Sequence, residues 1–190
     1  MKFLSSRQTL DSHVGMMNSS ADLAVVICHG SYHTPAPYMP LVDAFNNVGI
    51  EAYCPQLPTS DLNLLNVGDV KIPDFDRRPP VGGYPQGEED VKVILDILQP
   101  LVNEKGKNVV LIGHSSGGWT ATESATPTLH AKARQEKGLT GGIIGILYLG
   151  AFIIPVGESI NGFFQPKDSP SFTPPFMRFH VSMAAPKIPR

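Results

Sequence analysis

The sequence predicts an α/β fold, a three-layer sandwich with a mostly parallel sheet at its centre. Three observations predict it. Short apolar runs rich in Val and Ile recur at 23–28, 50–55, 109–112 and 143–149, each with glycine or proline close by. Amphipathic helical patterns separate the first run from the second and the second from the third. Composition is that of an ordinary globular domain, 42% hydrophobic and 17% charged over 190 residues, enough for one core.

Each element follows from its local pattern. Leu23-Ala24-Val25-Val26-Ile27-Cys28, then His29-Gly30, reads as a buried parallel strand. The loop Ser31-Tyr32-His33-Thr34-Pro35-Ala36-Pro37 follows. Met39, Leu41, Val42, Phe45 and Val48 then fall at helical spacing, and Gly49 stops that helix. Ile50-Glu51-Ala52-Tyr53-Cys54-Pro55 is a second short strand, so the unit implies a right-handed crossover. Residues 56–87 are dense in Pro, Gly, Asp and Asn, with Leu62, Leu64, Leu65 and Val67 marking a short turn. So long a loop reads as the wall of a cleft or as a surface insertion.

Glu88 opens an amphipathic helix whose Val91, Ile94, Leu95, Leu98, Leu101 and Val102 share one face. Its first turn holds Glu88, Glu89 and Asp90, as the helix dipole favours, and Pro100 shortens or kinks its last turn. Residues 109–112 form the third strand. Gly117 starts another helix, with Trp119 and Ala121 expected to face the sheet. Residues 129–137 read as a short basic helix with a solvated face, and 143–149 as the fourth strand. Beyond Pro155 the pattern is loop-like and rich in proline.

The expected organisation is a flexible leader at 1–20, a core at 21–160 and an irregular Pro-rich tail at 161–190. Met16 and Met17 offer alternative starts. The net charge of -2 gives no basic footprint for nucleic acid or an anionic membrane. The longest apolar run, 141–156, is broken by Gly141, Gly142, Gly145, Gly150 and Pro155, too short for a membrane span. Cys28 and Cys54 form no disulfide framework, which favours a reducing, cytoplasmic compartment.

The segment Gly113-His114-Ser115-Ser116-Gly117-Gly118 carries the chemistry. Gly-x-Ser-x-Gly alone is a weak signal, but here it joins a buried strand to a helix. That context is the nucleophile elbow, a sharp turn that lifts a serine hydroxyl above the sheet, where a base can take its proton. Ser115 is the candidate nucleophile. The candidate oxyanion donors are the backbone N–H groups of Ser116 and of Ser31, in the loop after the first strand. The plainer reading is a strand-to-helix turn with Ser115 as a cap. A phosphate loop is disfavoured because no Lys follows Gly118. His29 reads as a structural histidine bonded to loop backbone, with a catalytic base as the alternative. His33 reads as a loop residue rather than a metal ligand. His114 is disfavoured as a base because side chains adjacent at the elbow diverge.

From Leu23 to Ser159 the chain resembles the α/β-hydrolase superfamily. The motifs are Val26-Ile27-Cys28-His29-Gly30-Ser31-Tyr32-His33-Thr34-Pro35, Gln56-Leu57-Pro58, the elbow, and Leu147-Tyr148-Leu149-Gly150-Ala151-Phe152. They are most similar to esterase-like members such as the plant methylesterase and hydroxynitrile-lyase group. The resemblance implies Ser115 at the end of a central strand, with the first strand here as the family's third and the last as its sixth. It implies cofactor-free, metal-free hydrolysis of a small ester, amide or lactone.

The resemblance breaks off at the triad. Its order is Ser, then Asp or Glu, then His, and the last two usually follow later strands. Here the C-terminal strands are expected to be missing. Glu158, Asp168 and His180 supply the order on paper only. The alternative reading is therefore a non-catalytic remnant or binding domain on the same fold. A nucleotide-binding α/β domain is disfavoured by the absence of Gly-x-Gly-x-x-Gly after the first strand. The last strand is expected to form an exposed apolar edge over 143–154.

Overall fold

The computed structural model describes residues 22–155, 157, 158, 160–165, 168 and 170. The leader at 1–20, most of the tail and His180 lie outside the described residues.

Four strands form one parallel sheet in the order β2-β1-β3-β4: β1 Leu23–Cys28, β2 Glu51–Tyr53, β3 Asn108–His114 and β4 Gly142–Leu149. The helices are α1 Met39–Asn47, α2 Gly87–Gln99, α3 Gly117–Ser124, α4 Ala131–Gln135 and α5 Ile160–Phe164. The β1–α1–β2 crossover is the one the sequence implies.

Alternation along β1 builds the three layers. Ala24, Val26 and Cys28 pack with Ile94, Leu98 and Ala121 of α2 and α3. Val25 and Ile27 point the other way and pack with Tyr38 and with Val42 of α1. Successive side chains of a strand leave opposite faces, so a strand that is apolar throughout needs helices on both sides.

Several expectations are corrected. The second strand is confined to Glu51–Tyr53. α2 starts one residue before Glu88, and the Gln86 backbone N–H donates to Glu89 Oε2 at 2.8 Å at its start. As expected of Pro100, the regular helix ends there and gives way to one wide turn, Pro100–Glu104, in which Lys105 N–H donates to Pro100 O. Trp119 does not face the sheet. It lies over Gly87, where an added Cβ would come within 2.4 Å of its ring. Residues two apart on a helix do not share a face, so the fully buried Ala121 takes the sheet side and Trp119 cannot.

The basic segment is solvated at Lys132, Gln135, Glu136 and Lys137 but not at Arg134. Arg134 of α4 is only 7% exposed. Its guanidinium donates to the carbonyls of Val102, Thr140 and Gly141 and to Asn103 Oδ1. A helix end leaves carbonyls without partners, and the five-donor fork of Arg supplies several at once. Beyond Pro155 the chain is not all loop, because α5 forms there.

β4 ends at Leu149, where the sequence places the end of the fourth strand, so the exposed apolar edge expected over 143–154 is strand only as far as 149. Ile144, Leu147 and Leu149 are 54%, 54% and 50% exposed. Among the described residues no strand pairs with the outer edge of β4. Among them, too, no helix is long and apolar enough to cross a membrane.

Candidate functional site

The site is set by the register between β1 and β3. Cys28 pairs with Gly113 as the last paired residues of the two strands. The chain leaves both strands at the same level, and three residues further on it reaches Ser31 on one side and Ser116 on the other. This is how two serines 85 residues apart come into contact.

Ser115 is the strained residue of the elbow, with φ at +52°. This left-handed conformation is unfavourable for any residue with a Cβ. The elbow holds it by backbone hydrogen bonds: Gly118 N–H and Phe152 N–H donate to Ser115 O at 3.1 and 2.9 Å. The flanking glycines act by close approach. A Cβ on Gly117 would lie 2.1 Å from Cys28 O, and one on Gly113 would lie 2.6 Å from Gly118 Cα. Any side chain there would drive α3 off the sheet.

Ser31 N–H donates to Ser116 Oγ at 2.7 Å, and the Ser31 hydroxyl donates to the same oxygen at 2.7 Å. Both serines line a cavity of about 380 Å³, together with Thr59, Gln86, Asp90 and Trp119. The 56–87 loop thus walls the cavity with its two ends. Its middle is surface, with Ile72, Phe75 and Val81 exposed.

The histidines have definite partners. His29 is 1% exposed. Its Nε2 accepts from Leu57 N–H at 3.0 Å, and its Nδ1 lies 3.0 Å from Gly30 O. An Nε2 that accepts requires the proton on Nδ1, which then donates to Gly30 O. Burial lowers the His29 pKa and keeps the ring neutral. It is a brace between the loop after β1 and the loop after β2, as the structural reading expects.

His33 and His114 both turn to Tyr38. Their Nδ1 atoms lie 2.7 and 2.6 Å from its hydroxyl, which also accepts from Gly30 N–H at 3.2 Å. The two imidazoles stack with centroids 5.4 Å apart. His130 Nε2 lies 2.8 Å from Ala125 O. The Nδ1 atoms of His33 and His114 and the Nε2 atom of His130 thus have partners other than Ser115. Asp168 is exposed, and the Glu158 backbone N–H donates to Pro155 O. Among the described residues no group of His, Cys, Asp and Glu side chains is arranged to hold a metal ion.

Sequence reasoning missed Tyr38, Asp90 and the side chain of Ser116. Asp90 passes in the sequence as one of three acids at a helix start. In the fold it is buried and accepts from Thr59 N–H and Oγ1–H at 2.9 and 2.6 Å, while burial raises its pKa. Tyr38 sits among prolines before α1, and no local pattern signals its two histidine partners.

Comparison with known proteins places the fold. The chain is 28% identical over 147 residues to the alpha/beta hydrolase nvfD of Aspergillus novofumigatus, covering 76% of this chain and 49% of that protein. It therefore spans about half the length of this curated relative. Tomato methylketone synthase I, solved with 2-tridecanone, superposes with a TM-score of 0.50 at 12% identity, over 74% of this chain and 44% of that one. An extracellular alpha/beta-hydrolase from a Paenibacillus species superposes with a TM-score of 0.47 at 19% identity, over 76% and 47%. The model of the alpha/beta hydrolase family matches residues 25–189. With a parallel sheet, a strained serine between β3 and α3, and that match over most of its length, the chain belongs to the alpha/beta hydrolase family.

Proposed function

We propose that the chain carries the nucleophile and oxyanion-hole half of a serine hydrolase acting on a small ester, with Ser115 as nucleophile. The observation that carries this is the +52° φ of Ser115 at the junction of β3 and α3. Strain at a single serine, held by glycines packed on backbone, is a cost that an ordinary turn does not need. The backbone N–H groups of Ser116 and Ser31 are the proposed oxyanion donors. No cofactor or metal enters the proposed reaction. The free Cys28 and Cys54 fit a reducing cytoplasm.

Each described imidazole has a partner other than Ser115, and we assign none of them as its base. The test is a fluorophosphonate probe applied to the folded chain. Covalent label on Ser115, lost in Ser115→Ala, supports the reading. A folded chain that stays unlabelled rejects it.

A second reading, a non-catalytic domain on the same fold, is favoured by one observation. His114 of the elbow and His33, which stacks on it, are both tied to Tyr38. Hydrolysis of short p-nitrophenyl esters by the chain, abolished in Ser115→Ala, would decide against it.

A further inference from the structure

Ser116 follows the proposed nucleophile, and its hydroxyl sits where it matters to the chemistry. Two donors from Ser31, the backbone N–H and the hydroxyl, converge on Ser116 Oγ, each at 2.7 Å. Together they fill both acceptor lone pairs of that oxygen. The Ser31 N–H is the donor assigned above to a developing oxyanion. In the free chain that donor is already satisfied by an oxygen at ordinary hydrogen-bond distance.

The contact is reversible by construction. The Ser116 backbone is ordinary right-handed helix, φ -61° and ψ -25°, so no strain pins the side chain. A turn about χ1 moves Oγ off the Ser31 amide without moving α3. Both serines line the same cavity, so an incoming oxygen can reach the position Oγ leaves.

We infer that Ser116 Oγ is a built-in competitor for the oxyanion position, a latch that holds the Ser31 amide until a substrate oxygen displaces it. The inference rests on Ser115 being the nucleophile. A neutral carbonyl oxygen and the Ser116 hydroxyl are comparable acceptors and compete on near-equal terms. An oxygen gaining negative charge makes hydrogen bonds roughly twice as strong and wins. The latch therefore yields in the transition state more than in the ground state, and it taxes every reaction by the bond it gives up.

The test compares Ser116→Ala with the unaltered chain, because that change removes Oγ and keeps both backbone N–H groups. The first readout is the rate at which a fluorophosphonate labels Ser115. In that reaction the Ser115 Oγ–P bond forms and the P–F bond breaks. Fluoride leaves with its electron pair, and the serine proton passes to solvent. Loss of one competing hydrogen bond should speed labelling about fivefold. Ser31→Ala keeps the N–H contact and should give a smaller rise. The second readout is the Ser31 amide proton by NMR, which should move upfield in Ser116→Ala whether or not the chain labels.

Labelling that is unchanged or slower in Ser116→Ala overturns the latch; slower labelling would mean that the hydroxyl helps hold the oxyanion. A Ser31 amide unmoved by Ser116→Ala overturns it as well, since the bond would not exist. If the amide moves but neither chain labels, the nucleophile reading fails first. The Ser31–Ser116 bond is then a structural contact and not a latch.

Discussion

Gly30 and Ser115 meet across the ends of β1 and β3, where a Cβ on Gly30 would lie 3.0 Å from the Ser115 Cβ. The loop after β1 and the elbow after β3 are thus packed backbone to side chain, with little room for a side chain at Gly30.

That crowding separates the glycines of the chain. Gly117→Ala sets a Cβ 2.1 Å from Cys28 O, and backbone on both sides leaves nothing to give. It should cost about 3 kcal/mol of stability. Gly145→Ala in β4 meets nothing within 4 Å and should stay within about 0.5 kcal/mol of the parent. Urea midpoints of the two variants check the contrast; similar midpoints would mean that the elbow is looser than described.

Ser115→Gly should raise stability while removing the candidate nucleophile. A glycine adopts a φ of +52° without the Cβ penalty, a relief of about 1 kcal/mol offset in part by added freedom in the unfolded chain. Thermal unfolding should show a higher midpoint for Ser115→Gly than for Ser115→Ala, since Ala keeps the strain. Equal midpoints would argue that Ser115 is not strained in solution.

Arg134 holds the junction of the wide turn after α2 with the segment leading to β4. Arg134→Met leaves the carbonyls of Val102, Thr140 and Gly141 without this donor and should cost about 3 kcal/mol. Arg134→Lys should recover little, because one ammonium cannot reproduce the planar fork. Full rescue by Lys in denaturant melts would show that charge alone matters there.

Two groups contribute to the acid side of the stability profile. Burial lowers the folded-state pKa of His29 below its ordinary 6.5, so below that pH the unfolded chain binds a proton that the folded chain refuses. The His29 contribution is complete above pH 6.5 and declines as pH falls below it. Glu51 acts in a lower window. Lys105 and then Lys107 and Tyr53 hold its carboxyl down to about 2, against an ordinary 4.5. The two lysine ammoniums lie 2.7 and 2.8 Å away. Its contribution is present above pH 4.5 and is lost as pH falls through about 2. Melting temperatures from pH 7.5 to 5.5 should therefore fall less steeply in His29→Gln, and those from pH 4.5 to 2 less steeply in Glu51→Gln. Parallel slopes in either pair would remove that group from the account.

The sequence by itself determined the layers and the elbow. The apolar runs at 23–28 and 109–112, each with Gly within two residues, declare parallel strands because period and punctuation are local properties. The Gly-x-Ser-x-Gly segment declares the turn for the same reason. The brace role of His29 was legible too, since a histidine directly after a buried strand has loop backbone within reach.

Only the tertiary structure decided who meets whom. Trp119 and Ala121 look alike in a hydrophobic pattern, and the 100° step of the helix sends them to different neighbours. Arg134 reads as surface until the carbonyls of Val102 and Thr140 are brought beside it. Tyr38 gains its role only when β1 and β3 bring both His33 and His114 to its hydroxyl. The Ser31–Ser116 contact depends on the Cys28–Gly113 register, a relation between strands 85 residues apart. Local pattern carries the period of an element; its partners are settled by the packing of all the elements together.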